Sequence, residues 1–183
     1  VLISLIFGYD KYLKNTQAGP FTIAAARVMY VTLGTSASLN NIDSIPQFVI
    51  LVFVLTITFV YVTLIGFISK YEVQGFSENI KLYLIPVVIA PIISSIILFT
   101  FIGFFKYESL IILVLFTFIM AKAVYRIQKK DPIGIQQCVQ KMIVSIIVRD
   151  STYLSGIRGL EIGLAVLLLV VPLLILSRKM YMT

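Results

Sequence analysis

Histidine is absent from all 183 residues, and cysteine occurs once, as Cys138. Without histidine there is no Ser-His or Cys-His nucleophile pair, no histidine ligand for haem and no histidine-based metal site. A lone cysteine closes no intramolecular disulfide and carries no sign of a redox compartment. It reads as a small residue on an apolar face. Charge is scarce too, at 13% of residues, and no internal repeat, low-complexity linker or basic tail is present. Any chemistry must come from carboxylates, lysines, arginines, tyrosines or an added metal.

What remains is overwhelmingly apolar. A hydrophobic share of 60% and a mean hydropathy of +1.04 exclude an ordinary soluble domain and point to a polytopic membrane protein. Basic residues at membrane faces account for the net charge of +7, so nucleic acid need not be a partner. From Pro46 to Ser69 the chain runs 24 residues without a charge. As a helix that run is roughly 36 Å long at 1.5 Å per residue, enough for a hydrocarbon core of about 30 Å. A second uncharged run, Leu82 to Phe105, follows almost at once. Between them lies a short polar loop holding Lys70, Glu72, Glu78 and Lys81. Carboxylates and lysines gathered between two spans make a candidate site. The plainer alternative is a pair of interfacial lysines beside two solvated glutamates.

The pattern as a whole predicts an all-α, polytopic transmembrane helical bundle, one domain over 1–183. One partial and six full spans are expected: Val1–Tyr9 (partial), Pro20–Leu39, Pro46–Ser69, Leu82–Phe104, Leu110–Val124, Ile133–Val148 and Leu160–Leu176. Pro20–Leu39 carries Arg27, where an unpaired charge would be expensive. Ile133–Val148 is short, with Gln136, Gln137, Gln140 and Lys141 in its first half, and could instead lie at the interface as an amphipathic helix. Pro86, Pro91 and Pro172 fall inside spans, where they would kink helices and free carbonyls. The chain opens in an apolar stretch too short to span a bilayer and without a basic leader before it. It therefore reads as the C-terminal part of a longer protein whose N-terminal helices are missing.

Alternate loops differ in basic content. One side receives Lys11, Lys14, Lys70, Lys81, Lys122, Arg126, Lys129, Lys130, Arg178 and Lys179; the other receives Lys106, Arg149 and Arg158. This asymmetry puts the richer side in the cytoplasm or its equivalent. The loops bearing Lys14 and Glu72 then open on one cytoplasmic face of an inner or cytoplasmic membrane.

Motifs on that face carry a family resemblance. Tyr9-Asp-Lys-Tyr-Leu-Lys14-Asn-Thr16, followed by Gly19-Pro20 and a helix bearing Arg27 and Gly34, resembles the tyrosine–lysine–threonine segment of UbiA-type membrane prenyltransferases, most closely their divergent EboC-like branch. Ser69-Lys70-Tyr71-Glu72-Val73-Gln74-Gly75 is similar to that branch's span ending, and Val148-Arg-Asp150 with Pro172 through Thr183 to its tail. The resemblance covers nearly the whole chain. It implies an all-helical bundle of about nine spans around a cavity open to the cytoplasm and to lipid. It further implies a polyprenyl diphosphate held through Mg²⁺ and a prenyl group passed to a lipophilic acceptor.

Carried over by position, the resemblance implies Glu72 and Lys14 as catalytic residues, Lys14, Arg27 and Lys70 around the diphosphate, and Glu72 with Glu78 as metal ligands. The chemistry is coherent, because a diphosphate leaving group needs concentrated positive charge and magnesium takes oxygen ligands. The chain departs from the family in lacking the first acidic motif. Its second motif holds one glutamate, with Glu78 six residues later. Two functions therefore stand open. One is an integral-membrane prenyltransferase-like enzyme. The other is a non-catalytic UbiA-like structural or lipid- or pigment-binding subunit among other membrane-protein subunits. A transporter or channel subunit fits less well, since paired intramembrane charges and matching broken spans are not evident.

Overall fold

In the computed structural model of the chain the described residues are 2–13, 16–36, 45–74, 80–102, 106–127 and 132–180. Among them every regular element is a helix. Helix α1 (Leu2–Gly8) runs into a π-helical turn, Tyr9–Leu13. Then come α2 (Gly19–Ser36), α3 (Ile45–Gln74), α4 (Ile80–Ile102), α5 (Ser109–Ile127), α6 (Pro132–Arg158), α7 (Leu160–Leu167) and α8 (Val170–Met180). The expected all-α class is what the chain adopts. Contacts gather it into two compact units, Val1–Lys70 and Tyr71–Thr183.

In the first unit α1 and the π turn pack on α2. Gly66 of α3 lets Pro20 of α2 come so close that a Cβ built at 66 would stand 2.9 Å from the Pro20 Cβ. Phe21 packs edge-on against Phe67, ring centroids 5.4 Å apart, with Phe59 at 6.5 Å. Tyr61, Ile65 and Ile68 are buried on α3 and Ala24 on α2.

In the second unit α6 is the central helix, packed on α5 and α7 and also touching α4 and α8. Phe116 and Met120 of α5 and Ile135, Met142 and Val148 of α6 are fully or almost fully buried. The other side of α5 is apolar and exposed, with Ile111, Val114 and Phe118 turned outward. At the α6–α7 corner, Ser151 donates to the Gly163 carbonyl at 2.6 Å. The Lys106 N–H donates to the Gly156 carbonyl at 2.8 Å, and the Glu108 carboxylate accepts the Leu160 N–H at 3.0 Å. The turn before α5 thus holds the end of α6 and caps the start of α7.

Several boundaries differ from the sequence expectation. Helix α3 does not stop at Ser69. It continues to Gln74, because Lys70-Tyr-Glu-Val-Gln contains neither glycine nor proline and the first breaker is Gly75. Lys70 and Glu72 consequently lie on the last turns of a 30-residue helix, not in a loop. Helix α6 runs 27 residues, past Val148 to Arg158. Arg149, expected at a membrane face, is therefore inside a helix and only 1% exposed.

The expected Leu160–Leu176 span is broken. Pro172 has no N–H for the Leu168 carbonyl, which accepts the Val171 N–H at 3.1 Å instead, while Leu169 donates to Val166 at 3.0 Å. This tightened turn separates α7 from α8. By contrast, α4 passes through Pro86 and Pro91 without ending.

Of the six full spans expected, two described helices have on their own the length and apolarity to cross a membrane. These are Gln47–Tyr71, 25 residues, and Tyr83–Thr100, 18 residues. Ser109–Tyr125 and Leu160–Ile175 are apolar but shorter. Helix α2 is diluted by Arg27 and its threonines, glycines and serine, and α6 by its glutamines, Lys141 and the Arg149–Asp150 pair.

Candidate functional site

The sequence-derived site centres on the connection before α2 and the end of α3. There the Lys70 ammonium donates to the Thr16 carbonyl at 2.7 Å and lies 5.5 Å from the Phe67 ring centroid. The Thr16 carbonyl also accepts the Gly19 N–H at 3.1 Å, and the Thr16 hydroxyl donates to the Leu13 carbonyl at 2.9 Å. Two local bonds thus shape the turn into α2, and Lys70 ties that turn to α3. The N-terminal end of α2 carries the positive end of its helix dipole. An ammonium beside that end makes an anion-favouring location. The Thr16 bond takes one of the three lysine protons.

The remaining site residues are not all brought there. Arg27 stands on α2 eight residues beyond Gly19, about 12 Å along the helix axis, half-buried, with its guanidinium 5.7 Å from the Tyr30 ring. It occupies a different level from the Lys70–Thr16 contact. The Glu72 backbone belongs to the last turn of α3, but its side chain lies outside the described residues, as do Lys14 and Glu78 altogether. Among the described residues no three cysteine, aspartate or glutamate side chains gather where they could hold a metal ion.

A second polar constellation lies within the Tyr71–Thr183 unit. Arg149 Nη2 and Nε reach Asp150 Oδ1 at 2.6 and 3.2 Å. The Arg149 guanidinium also lies 5.8 Å from the Tyr153 ring. The Tyr153 hydroxyl shares a 2.6 Å hydrogen bond with Ser94 on α4. Ser94 and Ser95 both donate to the Pro91 carbonyl, at 2.9 and 2.8 Å. Arg149, Tyr153 and Ser94 are all buried, whereas the Asp150 side chain keeps 28% exposure.

Burying an ion pair in apolar surroundings is costly unless hydrogen bonds accompany it, and here they run from α6 across to α4. The arrangement fixes two helices; it presents no nucleophile with a base. Sequence reasoning put Arg149 on the membrane face poorer in basic residues and gave Asp150 no part in the site. The available signal was Arg149-Asp150 followed at i+4 by Tyr153 in a serine- and threonine-rich stretch, opposite the only Ser-Ser pair of α4. A third feature was also missed: the Lys141 ammonium donates to the Lys122 carbonyl at 3.3 Å, joining α6 to α5.

Comparison with protein-family models, with curated proteins and with solved structures finds no match for the chain.

Proposed function

We propose that the chain is an integral-membrane, prenyltransferase-like helical protein that receives a polyprenyl diphosphate where the turn before α2 meets the end of α3, and passes the prenyl group to a lipophilic acceptor. The single observation carrying this reading is the Lys70–Thr16 contact, which joins the two segments that bear the motif resemblance. The N-terminal end of α2 and the Lys70 ammonium then present positive charge together, as a diphosphate requires. Helices α3 and α4 supply the membrane part, being long and apolar enough to cross. Glu72 stands two residues beyond Lys70, at the negative end of α3, where a cation is favoured over an anion. On this reading Lys14 and Arg27 add positive charge toward the diphosphate, and Glu72 and Glu78 would hold magnesium. The membrane is the inner or cytoplasmic one, with the Lys70 end on the cytoplasmic side.

The test is turnover by the chain reconstituted in lipid vesicles with Mg²⁺, an all-trans polyprenyl diphosphate and a panel of lipophilic phenols. Diphosphate release coupled to a prenylated product is expected, and Glu72→Gln and Lys70→Gln should each lower it at least tenfold. Transfer that persists unchanged in Glu72→Gln removes the role given to that residue.

A second reading has its own support. The Lys70 ammonium already clasps a backbone carbonyl, which is a structural use of the charge. On that reading the chain is a non-catalytic, lipid- or pigment-binding subunit of a larger membrane assembly. Isoprenoid or pigment that co-purifies with the chain, with no diphosphate released from any donor, would favour it.

A further inference from the structure

Helix α5 contains no acidic residue, and the only one in α6 is Asp150, which Arg149 engages at 2.6 Å. Basic residues nevertheless gather toward one end of this hairpin. Lys141 lies nine residues into α6, about 13 Å from Pro132 along the axis, and donates to the carbonyl of Lys122 on α5. The Lys122 ammonium lies 4.2 Å from the centroid of the Phe118 ring, one turn back toward the middle of α5. A lysine that merely snorkels extends toward the helix end and water. Lys122 is turned the other way, and Arg126 follows it on the next turn of α5.

Below these cations runs an apolar stripe. Ile111, Val114, Phe118, Lys122 and Tyr125 follow at helical spacing and are all exposed, Val114 at 67% and Phe118 at 56%. The opposite side of α5, with Phe116 and Met120, is fully buried. From Ile111 to Lys122 the stripe measures about 16 Å, the scale of an acyl chain. An apolar track ending in the Lys122 ammonium and a tyrosine, with the Lys141 ammonium reaching in from α6 to the carbonyl of that same Lys122, matches one ligand class in both halves. An anionic phosphate would meet the lysines and hydrocarbon would lie along Val114 and Phe118.

We infer that the α5–α6 face bearing Lys122 and Lys141 is a binding site for an anionic phospholipid, its phosphate between the two lysines and an acyl chain along the Ile111–Phe118 stripe. The inference rests on the membrane-embedded part of the proposed reading and not on prenyl transfer. The occupant is a membrane lipid because the stripe continues the charge locus directly into exposed hydrocarbon-compatible surface. A soluble anion would use the lysines and leave the stripe idle.

The full chain, extracted from carbonate-washed membranes, would be presented with phosphatidylglycerol and phosphatidylcholine of identical acyl chains, and retained lipid counted by native mass spectrometry. Preferential retention of phosphatidylglycerol is expected. Lys122→Gln and Lys141→Gln should each lower it about fivefold, as for a basic residue near an anionic surface. Lys141→Arg should keep it, and Arg158→Gln, at the far end of α6, should leave it unchanged. Equal retention of the two lipids by the parent chain overturns the inference. So does an equal loss in Arg158→Gln, or displacement of the lipid by inorganic pyrophosphate at the same concentration, which would mark a free-anion site. Retention lost only on adding an acidic peptide, with no lipid preference beforehand, would assign the face to a protein partner and overturn it as well. Recovery of the chain in the soluble fraction removes the membrane reading itself; extraction from the membrane without lipid preference overturns this inference alone.

Discussion

Ser94 and Tyr153, 59 residues apart in sequence, meet oxygen to oxygen at 2.6 Å and link α4 to α6 inside the second unit. Ser94 already donates to the Pro91 carbonyl, so the shared proton comes from the tyrosine. The two ends of this bond are therefore unequal.

Ser94→Ala strands a buried phenol donor and should cost about 1–3 kcal/mol, whereas Tyr153→Phe leaves only a spare acceptor lone pair and should cost about 1 kcal/mol. The double variant should cost less than the sum of the singles. Thermal melts followed by circular dichroism in detergent would measure all three. A larger loss for Tyr153→Phe would reverse the donor assignment, unless the missing hydroxyl also disturbed ring packing, which Tyr153→Leu would reveal.

Asp150→Ala removes the counter-charge of a guanidinium that is 1% exposed. Breaking such a pair costs about 3 kcal/mol or more, while replacing both partners with neutral groups costs far less. Arg149→Met with Asp150→Asn should therefore be more stable than Asp150→Ala alone. The reverse order in the same melts would mean that the ion pair is worth more than its desolvation.

Gly66→Ala places a Cβ 2.9 Å from the Pro20 side chain and 3.0 Å from its Cα. Relief requires α2 to shift, at about 1–3 kcal/mol. Gly34, on α2 with nothing within 4 Å of a Cβ, gives the opposite result. Gly34→Ala should stabilise by about 0.5–1 kcal/mol through helix propensity alone. Equal effects at the two positions would refute the close approach.

Pro172→Ala restores the N–H that the Leu168 carbonyl lacks. The expected outcome is a continuous helix through α7 and α8, seen as a new slowly exchanging amide at 172 and slowed exchange at 169–171. An amide at 172 that exchanges as fast as an exposed turn would show that the break has another cause.

Much of the helical order was legible because apolar runs and breakers determine it locally. The starts of α4, α5 and α6 fall within two residues of the expected spans, at Ile80, Ser109 and Pro132. Ends were harder to read. Charge marks where a span meets the membrane surface and not where its backbone hydrogen bonds stop, so α3 runs through Lys70 and Glu72 and α6 through Arg149. The same confusion hid the polar cluster, since a basic residue near a span's end reads as an anchor until its partner is seen. Lys141 beside Lys122 and Ser94 beside Tyr153 depend on which helices pack together, and single-chain periodicity does not encode that. Of the site residues carried over by resemblance, Lys70 and Arg27 are placed, at separate levels. Lys14, Glu78 and the Glu72 side chain lie outside the described residues.

Gly159 joins α6 to α7 at φ 112°, ψ 164°, a backbone region that essentially only glycine occupies. A Cβ there would also stand 3.2 Å from the Lys106 ammonium. Every missense change of that codon meets the same backbone penalty, whatever side chain it introduces. Position 159 should therefore be frozen in any set of functional variants, while Gly8 and Gly34 drift freely. Deep mutational scanning would show it as a column that rejects every side chain alike, a record of backbone geometry and not of catalysis.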